Sequence, residues 1–209
     1  MNKLKTLASL LCMFFLATAA NAGAKIGINA AYTMFSSSGS ETLRQSNNVT
    51  NKTVDEDIIV PSLFIELTNE QGLGLGVDYV PVAELGDGKG DDDDNETSGA
   101  NKASAELSSH VTLYALKSFG DSGMFVKGGI SFADVDTTET LATGDTYGNT
   151  DTHGLMIGIG KEFDLASFFG RASLSYTDYD DVSITSTGGS KVEADVDSTA
   201  LTFSIGKEF

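Results

Sequence analysis

The chain has 209 residues, a single cysteine, and 30 acidic side chains against 13 basic ones, for a formal net charge of −17. An excess of acid on that scale excludes nucleic acid as a partner, because phosphate binding needs a basic surface. Strong acidity can also signal disorder, but disorder does not require periodicity, and most of this chain alternates with a period of two.

The N-terminus reads as a secretory signal peptide over residues 1–22. Lys3 and Lys5 form a positive segment, Leu7 to Leu16 is apolar, and Ala20-Asn21-Ala22 is a small-x-small cleavage pattern. The apolar stretch is short of the roughly 20 residues of a helical span. Cys12 lies inside it, so the expected mature chain, residues 23–209, has no cysteine and forms no disulfide.

Eight alternating segments follow, each near the roughly 9–11 residues of a tilted membrane-spanning strand. The first, Ala24 to Phe35, places Ile26, Ile28, Ala30, Tyr32 and Met34 on one face. The second, Asp57 to Thr68, uses Ile59, Leu63, Ile65 and Leu67, with Pro61 in phase. The third, Gly72 to Val82, sets Leu73, Leu75, Val77 and Tyr79 against Gly74, Gly76 and Asp78. The fourth, Ala103 to Phe119, sets Leu107, Val111, Leu113 and Ala115 against Glu106, His110, Thr112 and Tyr114. The fifth, Met124 to Ala133, sets Met124, Val126, Ile130 and Phe132 against Lys127, Gly129 and Ser131. The sixth, Thr152 to Phe163, uses Leu155, Ile157, Ile159 and Phe163, and the seventh, Phe168 to Thr177, uses Phe168, Ala172, Leu174 and Tyr176. The eighth ends the chain with Leu201, Phe203, Ile205 and Phe209 on its apolar face.

The connections alternate too. Short turns are expected at Asn69 to Gln71, Gly120 to Gly123 and Asp164 to Ser167, and long loops at Ser36 to Glu56, Ala83 to Lys102, Asp134 to Asp151 and Asp178 to Asp197. That layout predicts an all-β fold: an eight-stranded antiparallel up-and-down transmembrane β-barrel with short periplasmic turns and long extracellular loops. Ile159-Gly160-Lys161-Glu162-Phe163 recurs identically at Ile205 to Phe209, one hairpin apart, which supports the register.

On these grounds the chain resembles the small eight-stranded outer-membrane barrels, the OmpA/OmpX-type and opacity-protein-like group, over Gly23 to Phe209. It departs from them in having no tryptophan, so an aromatic girdle would be Phe and Tyr only. The resemblance implies the outer membrane of a Gram-negative bacterium, contact with outer-membrane lipid and lipopolysaccharide, and a monomer. It also implies that the barrel-assembly machinery reads the last strand, with Phe203, Ile205 and Phe209 as the assembly signal.

No catalytic set is expected. His153 falls on the lipid-facing phase at the outer rim and His110 on the inner phase, with nothing to fix a serine–histidine–acid geometry. Asp91, Asp92, Asp93 and Asp94 are weak divalent-ion candidates, but their spacing lacks the alternating ligands of a calcium loop. No cofactor is expected. Inside the barrel, Lys25, Glu66, Lys127, Glu162, Arg171 and Glu208 share the inward phase near the periplasmic end. They predict a mixed-charge lumen layer, tolerable because opposite charges pair. The sequence favours a surface protein with a structural or adhesive role, acting through acidic loops on an unidentified ligand. A narrow gated channel is the alternative, and a lipid-modifying enzyme a lesser one.

Overall fold

The structure, a computed structural model, describes residues 22–44, 46–85, 90–91 and 101–209. The signal segment, Gly86, Gly88 and Asp92 to Asp94 lie outside these residues. Eight long strands are β1 (Ala22–Thr42), β2 (Val49–Asn69), β3 (Leu73–Leu85), β5 (Asn101–Ser118), β6 (Met124–Thr140), β7 (Thr150–Leu165), β8 (Phe168–Tyr179) and β10 (Lys191–Glu208). Two short ones, β4 (Gly90–Asp91) and β9 (Val182–Thr185), pair onto β5 and β10. Each long strand is antiparallel to the next, and β1 pairs with β10 from Lys25↔Glu208 to Thr42↔Lys191, which closes the ring.

The alternation decides which way each side chain points. Ile26, Ile28, Ile59, Leu63, Leu155, Ile157, Leu174, Phe203 and Ile205 all lie exposed on the outer face. Their neighbours on the alternate phase, among them Thr33, Ser62, Thr112, Ser131, Ser173 and Thr202, are buried inside. An apolar belt outside and a polar lumen inside is the inverse of a soluble barrel, and it suits a lipid surround.

At one end the connections are tight. Ala166 and Ser167 alone join β7 to β8, with Ala166 at φ 54°, and Gly72 (φ 73°) and Gly123 (φ 69°) take the left-handed positions of the other two turns. At the opposite end strand extends into the segments expected as long loops. β1 and β2 remain paired to Thr42↔Val49, and β5 and β6 remain paired to Lys102↔Thr140. The wall therefore continues as polar hairpins beyond the apolar belt. Three of their tips tie together: Arg44 donates to the Gly188 carbonyl at 2.7 Å, Thr187 N–H to the Thr146 carbonyl at 2.9 Å, and the Tyr147 hydroxyl to Glu41 at 2.7 Å.

One assignment reverses. Leu107 was expected on the lipid face and is buried in the lumen with Val60, Val80, Ala83 and Ala133. Ser109 adopts φ 54°, and the β5–β6 register slips between Ser108↔Asp134 and Val111↔Phe132. This is a β-bulge, whose extra residue flips every side chain beyond it to the other face. On the neighbouring strand Pro81 and Val82 are both exposed while Val80 and Ala83 are both buried, so β3 changes phase at the same height.

Candidate functional site

The lumen is closed at the tight-turn end by a built floor. Register sets Lys25 opposite both Glu66 and Glu208, and Glu162 opposite Arg171. The Arg171 guanidinium forks onto Glu66, with Nη1 to Oε2 at 2.8 Å and Nη2 to Oε1 at 2.7 Å, and its Nε donates to Glu162 at 2.7 Å. Lys25 donates to the other Glu162 oxygen at 2.6 Å. Glu66 is 0% exposed and also accepts from the Tyr114 hydroxyl (3.0 Å) and Thr68 (3.2 Å), so neither of its oxygens is left unpaired. Phe64, Phe125 and Phe169 surround Arg171, with centroids 5.6, 5.3 and 5.0 Å from its central carbon. The inward glycines make this fit. Phe64 lies over Gly27, Phe125 over Gly160, Phe169 over Gly206 and Tyr114 over Gly76, each in space that a β-carbon would occupy.

Above the floor is a waist. Asn29, Asp78, Tyr114, Lys127 and Thr202 line both a small void of about 20 Å³ beneath and a cavity of about 110 Å³ above. Asn29 Nδ2 donates to Ser62 at 2.9 Å and to Asp78 at 2.5 Å. The upper cavity is apolar on one side, where Ala31, Phe35, Val60, Val80, Ala83 and Leu107 meet beside His110, and it reaches Tyr179 across the lumen.

Beside that apolar side the wall is split. β2 and β3 pair only from Thr68↔Gly74 to Leu63↔Tyr79. Further up, β2 remains bonded to β1 and β3 to β5, but not to each other. The split begins within the apolar belt, since its lips carry Ile59 and Val82, exposed at 75% and 48%. The only two prolines of the chain, Pro61 on β2 and Pro81 on β3, flank it, and neither has an N–H to donate.

No protein-family model and no curated protein sequence matches the chain. Solved structures do. The outer membrane protein OprG of Pseudomonas aeruginosa aligns with a TM-score of 0.60 at 15% identity, covering 90% of this chain and 96% of that one. The outer membrane protein AlkL, solved in lipid bilayers, aligns with a TM-score of 0.55 at 13% identity, covering 90% of each chain. The fold is that of a small outer-membrane β-barrel. With the apolar belt outside, it places this chain in the outer membrane, the tight turns on the periplasmic side and the hairpin tips outside the cell.

Within the outer-membrane barrel, the expected charge layer is only partly one layer. Lys25, Glu66, Glu162 and Arg171 come together. Glu208 reaches Lys25 at 3.8 Å from an exposed position at the rim. Lys127 stands apart: register sets it beside Gly158, two lumen-facing positions above Glu162 on the same strand. Its amine lies 5.8 Å from the Tyr114 ring centroid and, among the described residues, has no carboxylate within ion-pair distance. Staggered strands mean that equal distance from a strand's start is not equal height in the barrel.

The other expected residues scatter. Phe203, Ile205 and Phe209 lie exposed on the outer face of the closing strand. His153 pairs with Asp180 at 2.9 Å on the exposed rim, and His110 meets the Tyr179 hydroxyl at 3.3 Å inside the cavity. Asp91 pairs through its backbone with Asn101, and Asp92, Asp93 and Asp94 lie outside the described residues. Among the described residues no three His, Cys, Asp or Glu side chains group as metal ligands. Asn29, the role of Asp78 and the floor phenylalanines were not singled out from the sequence. The signal for them was the inward phase alone.

Proposed function

We propose that the barrel admits a small, largely apolar solute from outside and releases it sideways into the outer leaflet. The split between β2 and β3 beside the apolar side of the cavity carries this reading. At membrane depth every backbone N–H and C=O must be satisfied within the protein, and irregular backbone is tolerated where it lines a cavity. An unpaired stretch of wall within the lipid belt, opening onto an apolar pocket, fits a passage better than a mere scaffold. The floor supports the same direction of travel, because a solute that descends meets Arg171, Glu66 and three phenylalanine rings. The surface-adhesion reading rests on the acidity of the hairpins alone, whereas this passage rests on a pocket and an exit.

The test fills the pocket without touching the floor. Ala83→Trp places a large ring among Val60, Val80 and Leu107. Cells with the native barrel should take up radiolabelled toluene faster than cells without it, and Ala83→Trp should reduce uptake to the background. Uptake unchanged by Ala83→Trp, in a variant that still inserts, would exclude the pocket as the route.

A further inference from the structure

The floor satisfies its polar atoms and the waist does not. Lys127 projects from the middle of β6 with an ammonium that, among the described residues, makes neither a hydrogen bond nor an ion pair. Asn29 uses both amide hydrogens on Ser62 and Asp78, yet its Oδ1 is buried and accepts nothing. Both residues line the same cavity. Simple lumen filling would pair such groups, because a buried polar atom left unsatisfied carries its full desolvation cost, and a charged one more.

We propose that the Lys127 ammonium forms a head-group site, and that the cavity selects small monocarboxylic acids with an apolar body. The inference rests on the cavity being the solute pocket argued above, and it adds the solute's chemistry. The ammonium of Lys127 takes the carboxylate. Asn29 Oδ1 is closed off even to water, so Asn29 holds Asp78 in place through Nδ2 and does not touch the solute. The apolar body lies against Val60, Val80, Ala83 and Leu107. Size sets a limit, since a cavity of about 110 Å³ holds on the order of ten heavy atoms. Charge sets another: one unpaired cation beside Asp78 suits a monoanion and disfavours a phosphate dianion. The acidic rim opposes entry only at short range, being screened over about 10 Å at 0.1 M salt.

Three probes of one shape separate the contributions: benzyl alcohol, phenylacetate and mandelate, titrated calorimetrically into the full barrel in nanodiscs. Phenylacetate and mandelate should each bind at least tenfold more tightly than benzyl alcohol, the 2-hydroxyl of mandelate gaining nothing further. Lys127→Met should bring both acids down to the level of the alcohol while leaving the alcohol unchanged, and Lys127→Arg should restore the acids. Insertion of each variant is checked by heat-modifiable gel mobility. Equal binding of alcohol and acid by the native barrel, or acid binding indifferent to Lys127→Met, overturns the head-group site while leaving the apolar pocket standing. Failure of all three probes to bind overturns both.

Discussion

Glu66 is the residue on which the floor depends. It is fully buried, receives both Arg171 amino groups, and accepts from Tyr114 and Thr68 as well. Removing one partner of such a pair leaves the other charged and desolvated, at a cost of about 3–5 kcal/mol, whereas removing both is far milder. Glu66→Ala should therefore destabilise the barrel in urea by about that amount, and adding Arg171→Ala should recover a large part of it. In planar bilayers the double variant should leak small ions where the native barrel does not. A silent double variant would mean that the phenylalanine rings seal the floor unaided. This pairing was legible in the sequence, because Lys25, Glu66, Glu162 and Arg171 share both phase and end of strand. Lys127 met the same two criteria and stands higher, since neither criterion carries the stagger between strands.

At the level of elements, alternation found all eight long strands, and apolar residues marked where each enters lipid. It failed where apolar members are too sparse to set a phase. Ser36 to Glu56 holds only Leu43, Val49 and Val54 and reads as a loop, yet neighbours on either side hold its ends in strand, because hydrogen bonding needs partners rather than burial. It failed again at Ser109, where one left-handed residue reverses the phase of Leu107 with no glycine to announce it. Ala166 is a similar case at the periplasmic end. It holds φ 54° in the two-residue turn between β7 and β8, a conformation that costs an alanine roughly 1–2 kcal/mol. Ala166→Gly should relieve that strain and raise resistance to urea by about 1 kcal/mol, less what the freer unfolded chain gives back. Ala166→Val, with a branched β-carbon in the same turn, should lower it. A glycine variant less stable than the native chain would show that the turn is held by contacts rather than limited by its backbone.

For the whole molecule, the decisive property is an asymmetry that no single strand displays. β1 is bonded along its length to both neighbours, so the side of the barrel built on β9, β10, β1 and β2 stands as a continuous wall well above the belt. Between β2 and β3 the wall stops at Leu63↔Tyr79. With tied hairpin tips above and a sealed floor below, the proposed passage leaves the pocket by this split. Prolines at Pro61 and Pro81 keep it from zipping, as each removes a donor that a ladder would need. Continuing the observed register by two steps sets these positions opposite one another, and both side chains are exposed outward. The paired variant Pro61→Cys/Pro81→Cys is therefore a lock, and an unambiguous one, because residues 23–209 contain no other cysteine. Reduced, it should transport toluene as the native barrel does. Oxidised, or bridged by a short bis-maleimide if the thiols stand too far apart for a disulfide, it should lose uptake, and reducing the disulfide should restore it. Ion leakage should stay unchanged throughout, since the floor is untouched. Uptake that persists in the locked barrel would send the solute through the floor, and the split would then be only a relaxed edge of the wall.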